Sequence, residues 1–218
     1  MNRYFEKSLL ENINRNNKCL HGDGILFLSN NKQTLPLYEW LSHTENVYLL
    51  SDCLQLKQVV ELQPALIVSY NYMHIITDDI IEYMNGKIIN LHISYLPWNR
   101  GASPNVWSFI DDTPKGVTIH QVSSGLDKGL ILFQRECFFE EEHETFASTY
   151  KKLNDEIIRL FQEHWHDIKN NNYILTEQIG KGSYHNSKQL EELQRKIPFE
   201  WDDNIGDFLR RYRSLEKY

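Results

Sequence analysis

"IINLHISYLPWNRGASPNVW", residues 88–107, decides how this chain is read. It opens as a buried strand, Ile88 to Ser94, yet carries Asn90 and His92 among isoleucines and leucines. Side chains alternate across a strand, so Asn90, His92 and Ser94 share one face and Ile89, Leu91 and Ile93 the other. Burying an amide and an imidazole without partners costs roughly a few kcal/mol. Either core hydrogen bonds satisfy them, or they emerge where the strand ends. In open α/β sheets, ligands bind beyond the carboxyl ends of strands, where Asn90 and His92 would sit. Both readings stand at this point.

Upstream of that strand the chain keeps a βα rhythm. Short apolar runs at 25–28, 47–50 and 66–70 read as strands. Leu37, Trp40 and Leu41 mark one helix between them, Leu54 to Leu62 another, and 75–84 mixes loop and helix. Such alternation predicts a Rossmann-like α/β fold, a mostly parallel sheet with helices on both faces. Downstream, runs at 117–122 and 131–134 flank a Ser-Ser-Gly-Leu-Asp-Lys-Gly connection. No helix fits between them, which predicts antiparallel neighbours.

The acidic run Glu140 to Glu144 is read as opening the longest helix, striped by Phe146, Tyr150, Leu153, Ile157, Phe161 and Trp165 and ended by Asn170 to Asn172. Residues 1–176 read as the core, with a helical extension over 1–23 centred on 4–14. Residues 177–218 read as a tail with short helices up to Arg195 and from Phe208 to Leu215.

Composition excludes several classes. Hydrophobic residues at 41% and charged residues at 24% suit a globular chain rather than a disordered one. A net charge of −7 disfavours a phosphate backbone, so no nucleic-acid partner is expected. No apolar run approaches the roughly 20 residues a bilayer requires, and residues 1–17 do not resemble a signal peptide, so no membrane partner is expected. The odd number of cysteines, Cys19, Cys53 and Cys137, reads as reduced thiols in the cytoplasm. The histidines include His164-x-His166, but no acidic or thiol ligand stands at metal-site spacing, and no metal is expected.

An Asp set between glycines, as in Gly125-Leu126-Asp127-Lys128-Gly129, most often just makes a turn. Beside the first motif it reads differently. Asn90-x-His92-x-Ser94, the turn Leu96-Pro97-x-x-Arg100-Gly101, and Gly116-Val117-Thr118-x-His120 leading to Asp127-x-Gly129 together resemble the folate-dependent formyltransferase family. Those enzymes move a formyl group from 10-formyltetrahydrofolate to an amine. The resemblance spans roughly residues 24–170. It implies a catalytic Asn, His and Asp, which fall on Asn90, His92 and Asp127.

The chemistry suits those residue types. An amine attacking the formyl carbon generates an oxyanion, to which an Asn amide and a His N–H can donate. The attacking nitrogen sheds a proton, which a nearby carboxylate can accept. The family's pterin pocket is built largely from backbone groups, here matched by Tyr72, Met73, His74, Ile76, Val122, Ser123 and Asp127.

Family members acting on glycinamide ribonucleotide carry a glycine-rich phosphate loop after the first strand. Here that place reads Ser29-Asn30-Asn31-Lys32-Gln33-Thr34. Members acting on methionyl-tRNA add a sizeable C-terminal domain, whereas only about 40 residues follow the core here. The remaining branch formylates nucleotide-linked amino sugars for surface polysaccharides. Trp98, Arg100, Pro104, Trp107 and Tyr184 are the candidates for gripping such an acceptor by stacking and charge. The alternatives are glycinamide ribonucleotide as acceptor, a formyltetrahydrofolate hydrolase, and a non-catalytic folate- or nucleotide-sensing module. The amphipathic tail helices are candidates for packing between the subunits of a homodimer.

Overall fold

The computed structural model of the chain describes residues 22–215; Cys19 and the helix expected over 4–14 lie outside them. Strands β1 (Ile25–Leu28), β2 (Val47–Leu50), β3 (Leu66–Tyr70) and β4 (Ile88–His92) alternate with helices α1 (Leu35–Ser42), α2 (Leu56–Leu62) and α3 (Asp78–Met84). There follow β5 (Arg100–Gly101), α4 (Pro104–Ile110), β6 (Lys115–Gln121), β7 (Ile131–Cys137), α5 (Phe146–Lys169), β8 (Tyr184–His185), α6 (Ser187–Lys196) and α7 (Ile205–Leu215). Six strands form one sheet in the order β2-β1-β3-β4-β6-β7, and β5 pairs with β8. β1 runs parallel to both β2 and β3, and β3 parallel to β4. The predicted mostly parallel α/β sheet is thus present. The segment joining β6 to β7, residues 122–130, is too short for the crossover that parallel neighbours need.

The chain divides into two compact units, one reaching to His92 and taking in His120–Gly125, the other comprising Ile93–Ile119 and the chain from Leu126 onward. In the first unit, Leu26, Leu28, Ile67 and Ile88 of the strands pack with Val59 of α2 and Ile80 and Met84 of α3. Each such side chain, fully buried, contributes roughly 1.5–3 kcal/mol. β1 has β2 on one side and β3 on the other, so the chain reverses its direction of travel across the sheet at β1 and β3. Loops leaving the carboxyl ends of strands at such a reversal diverge and open a crevice.

The second unit has its own core. Val106, Trp107 and Phe109 of α4 and Phe146 of α5 are buried with Leu193, Ile197, Phe199, Ile205, Phe208 and Leu209. These six tail residues therefore pack within the chain, while Ile179 and Leu215 of the tail are exposed. The long helix begins later than the acidic run suggested. Thr145 caps it: its hydroxyl accepts from the Ser148 N–H while the Ser148 hydroxyl accepts from the Thr145 N–H, the two bonds of a capping box. Residues 141–143 form a separate single turn before it. Helix α4 was not legible in sequence. Ser103 precedes it with φ 55° and makes no side-chain cap, so Arg100 to Pro104 reads as a turn.

The tail segment around Gly182 is sewn to the turn that follows β4. The Ser183 N–H donates to the Pro97 carbonyl, the Arg100 N–H to the Ser183 carbonyl, and the Ala102 N–H to the His185 carbonyl. The Ser183 hydroxyl accepts from the Asn99 N–H and donates to Asn99 Oδ1. Among the described residues no helix is long and apolar enough to cross a membrane.

This contact is close enough to require glycine. At Gly182, with φ 62°, an added Cβ would lie 2.1 Å from the Pro97 carbonyl oxygen. At Gly180, with φ 97°, it would meet nothing within 4 Å. Gly182→Ala is expected to destabilise the fold by about 2 kcal/mol or more in denaturant titration, and Gly180→Ala by about 1 kcal/mol from backbone strain alone.

Candidate active site

In the first unit, β4 delivers Asn90 and His92 to its carboxyl end. Asn90 lies in register with Ser69 of β3. The Asn90 Nδ2 is 3.2 Å from His120 Nε2, and His120 Nδ1 is 2.8 Å from the Gln121 carbonyl oxygen. A carbonyl can only accept, so Nδ1 carries the proton. In a neutral ring Nε2 is then an acceptor, and the Asn90 amide donates to it through Nδ2. Ring tautomer and amide orientation fix each other. His120 is 2% exposed, so this bond also removes the penalty of burying an imidazole. His92 packs edge-on against the His120 ring at 6.3 Å. The polar residues of the strand are therefore partnered in the core and also stand at the strand end. Sequence reading singled out Asn90 and His92, but gave His120 only as part of a motif.

The loops at the β1 and β3 ends are joined by Asn30, whose role sequence reading missed. Its Nδ2 donates to the Ser51 carbonyl at 2.8 Å, and its Oδ1 accepts from the Met73 N–H at 3.0 Å. Asn31 Oδ1 accepts from the Gln33 N–H and caps the single helical turn Lys32–Thr34. Among the cofactor candidates, the Tyr72 hydroxyl donates to the Asp52 carbonyl and accepts from the Leu54 N–H. Burial pushes the Tyr72 phenol up to about 12. His74 Nε2 is 3.2 Å from the Ser51 carbonyl oxygen, and the ring lies edge-on to Tyr72. Met73 is 63% exposed and the neighbouring Ile75 82%. Ile76 and Val122 rest half-buried against the first unit's core, and Ser123 is half-buried at the end of β6.

In the second unit, Asp127 is buried with φ 53°, and its Oδ2 accepts from the Gly101 N–H at 2.8 Å. Tyr184 and Arg100 are register partners in the β5–β8 pair. Tyr184 is 53% exposed, and Trp98 and Arg100 are half-buried. Pro104 begins α4 and is buried. Trp107 is buried too, its ring stacked on His185 at 4.1 Å with planes 4° apart. His185 in turn holds Asp111 at 2.7 Å through Nε2. Ser94, third in the first motif, donates to the Trp98 carbonyl at 2.5 Å and so shapes the turn.

No group of three or more His, Cys, Asp or Glu that could hold a metal occurs among the described residues. His164 stacks on Phe133 at 3.8 Å. Cys53 and Cys137 are free thiols, and burial pushes Cys137 up to about 11.

A family profile described as formyl transferase matches residues 45–163. The chain is similar to the crystal structure of the formyltransferase PseJ from Anoxybacillus kamchatkensis in complex with UDP-4,6-dideoxy-4-formamido-L-AltNAc and tetrahydrofolate. The two are 40% identical, with 86% of this chain and 97% of that one covered and a TM-score of 0.77. It is 35% identical over 129 residues to the dTDP-4-amino-4,6-dideoxyglucose formyltransferase of Mycobacterium tuberculosis, covering 59% of this chain and 54% of that protein. It is 27% identical over 196 residues to the methionyl-tRNA formyltransferase of Prochlorococcus marinus, covering 84% of this chain and 56% of that one. The chain spans about half the length of the curated relatives it matches.

The His120 geometry has a spectroscopic consequence. Long-range nitrogen–proton correlation spectra should show the neutral His120 ring as the Nδ1–H tautomer. Asn90→Ala should shift its Nε2 resonance, while Asn90→Asp should favour a proton on Nε2. An Nε2–H tautomer in the wild-type protein would refute the assigned direction of the bond.

Proposed function

The chain belongs to the formyl transferase family, and from that premise we propose that it moves a formyl group from 10-formyltetrahydrofolate to the amino group of a nucleotide-linked amino sugar. The observation that carries this reading is the high identity, over most of both chains, to an enzyme crystallised with a UDP-linked formamido sugar and tetrahydrofolate. Asn90 held by His120 at the end of β4 gives it a chemical basis.

The residues present fit the donor. The loop after β3 offers an apolar surface through Met73 and Ile75, suited to a flat ring. The Met73 N–H is engaged by Asn30 and the Val122 N–H by the Ile88 carbonyl, so pterin recognition falls to the remaining backbone groups of Tyr72, Met73, His74, Ile76, Val122 and Ser123. When bound, 10-formyltetrahydrofolate supplies an activated formyl carbon. Asn90 and His92 then donate hydrogen bonds to the formyl oxygen as negative charge gathers there. Asp127 accepts the proton that the attacking amine sheds, and the Gly101 N–H keeps its carboxylate oriented.

For the acceptor, Tyr184 and Trp98 offer aromatic faces and Arg100 a guanidinium for a diphosphate. Pro104 and Trp107 are buried and act through packing, Trp107 by stacking on His185 of the β8 strand that carries Tyr184. An acidic chain suits a small anionic acceptor gripped locally better than a tRNA gripped over a wide surface. The free thiols suit a cytoplasmic enzyme.

With 10-formyltetrahydrofolate as donor, at least one UDP- or dTDP-linked amino sugar should be formylated and glycinamide ribonucleotide hardly at all. Release of tetrahydrofolate follows the reaction. Asp127→Asn should lower turnover by roughly 10²–10⁴-fold while leaving the circular dichroism spectrum unchanged. His92→Asn and Asn90→Ala should each cost roughly 10²–10³-fold. Efficient use of glycinamide ribonucleotide with every amino sugar inert would overturn the acceptor assignment. A folded Asp127→Asn variant with near wild-type turnover would overturn the role of the carboxylate.

A further inference from the structure

Gln178 lies between α5 and β8, two residues after Thr176, whose backbone exchanges a pair of hydrogen bonds with Ile131. Its side-chain oxygen accepts from Arg100 Nε at 3.0 Å and from Arg100 Nη2 at 2.7 Å. Its side-chain nitrogen donates to the Asp127 carbonyl and to the Gly129 carbonyl, both at 2.8 Å. A primary amide has two N–H donors and one oxygen with two lone pairs, so all four of its bonding positions are used. Asp127 Oδ2 meanwhile accepts from the N–H of Gly101, the residue next to Arg100. The bonds close a ring: Arg100 side chain, Gln178, Asp127 backbone, Asp127 carboxylate, Gly101 backbone, and back to Arg100.

Such a ring does two things that neither half does alone. Asp127 sits in the left-handed region, where a non-glycine residue is strained, and its peptide needs external bonds to stay there. Gln178 supplies them on both sides of Lys128. Arg100 is a long, flexible side chain, and the fixed amide oxygen spends two of its five N–H groups on orientation, leaving Nη1 to point elsewhere.

We infer that Gln178 is a positioning residue, which holds the base Asp127 and the acceptor-gripping Arg100 in one rigid frame so that binding of the acceptor places its amine against the carboxylate. This rests on the roles proposed above for Asp127 and Arg100. A misplacement of about 1 Å in such a frame can cost roughly 10²-fold in rate.

Two variants separate the two halves of the role. Gln178→Glu keeps oxygens for Arg100 but presents negative charge, with no N–H, to the Asp127 and Gly129 carbonyls. It should lower kcat by roughly 10–100-fold while the acceptor KM stays near the wild-type value. Gln178→Leu loses both sets of bonds and should lower kcat similarly while also raising the acceptor KM. Equal KM in the two variants, or a kcat unchanged in Gln178→Glu, would overturn the inference.

Hydrogen exchange gives a reading independent of activity. In Gln178→Leu, amides in residues 123–130 and at Gly101 should exchange faster, with Tm within a few degrees of wild type. Unchanged exchange there would overturn the frame itself. If the wild-type protein formylates no amino sugar, the proposed activity fails, and the exchange experiment still decides whether Gln178 fixes the Asp127 loop.

Discussion

A strand in the middle of a parallel sheet is covered on both faces, and any polar side chain it carries must find its partner inside the protein. β4 meets that constraint at Asn90 with a hydrogen bond to His120 on β6. That bond is possible only because the other nitrogen of His120 is protonated toward the Gln121 carbonyl. Stability and chemistry coincide here. The partner that makes a half-buried amide tolerable also dictates which way the amide faces, and a donor held in place is what the proposed stabilisation of developing charge requires.

A different device orders the second unit. Instead of a regular strand, a short tail segment passes so close to the turn after β4 that side chains are excluded at the contact. Gly182 lies against Pro97, and at Gly101 a Cβ would come within 2.3 Å of the His185 carbonyl oxygen. Backbone-to-backbone packing of this kind leaves few soft degrees of freedom. The segment then presents Tyr184 beside Arg100 and brings Gln178 to Asp127. Residues far apart in the chain thereby act as one loop. A tail that looked separate in sequence completes the surroundings of the aspartate.

How much of this was legible in the sequence follows from the range of each interaction. The strands β1 to β4 declare themselves through short, largely apolar runs, because a strand buried on both faces needs little information beyond its own residues. Asn90 and His92 stood out for the same reason, as polar residues where such a run forbids them. The start of α5 was misplaced because acidic residues favour a helix N-terminus in general, whereas the actual start was set by the reciprocal bonds of Thr145 and Ser148. Strands β5 and β8 are two residues each and exist only through pairing across about 80 residues of chain. Asn30 and Gln178 are ordinary amides in ordinary loops. Nothing local marks them, since their roles lie in bonds to Met73, Ser51, Arg100 and Asp127, which the linear sequence does not bring together.

The central claim is that the formyl group passes directly to an amine, with Asn90, His92 and Asp127 each serving that one transfer. The most direct measurement supplies donor labelled with carbon-13 in the formyl group, with an excess of UDP- or dTDP-linked amino sugar, and follows the label by NMR. The account predicts that the label appears as a sugar formamide in equal amount to the tetrahydrofolate released, with free formate at the level of an enzyme-free control. Label recovered as formate at the same rate with or without the amino sugar would contradict it.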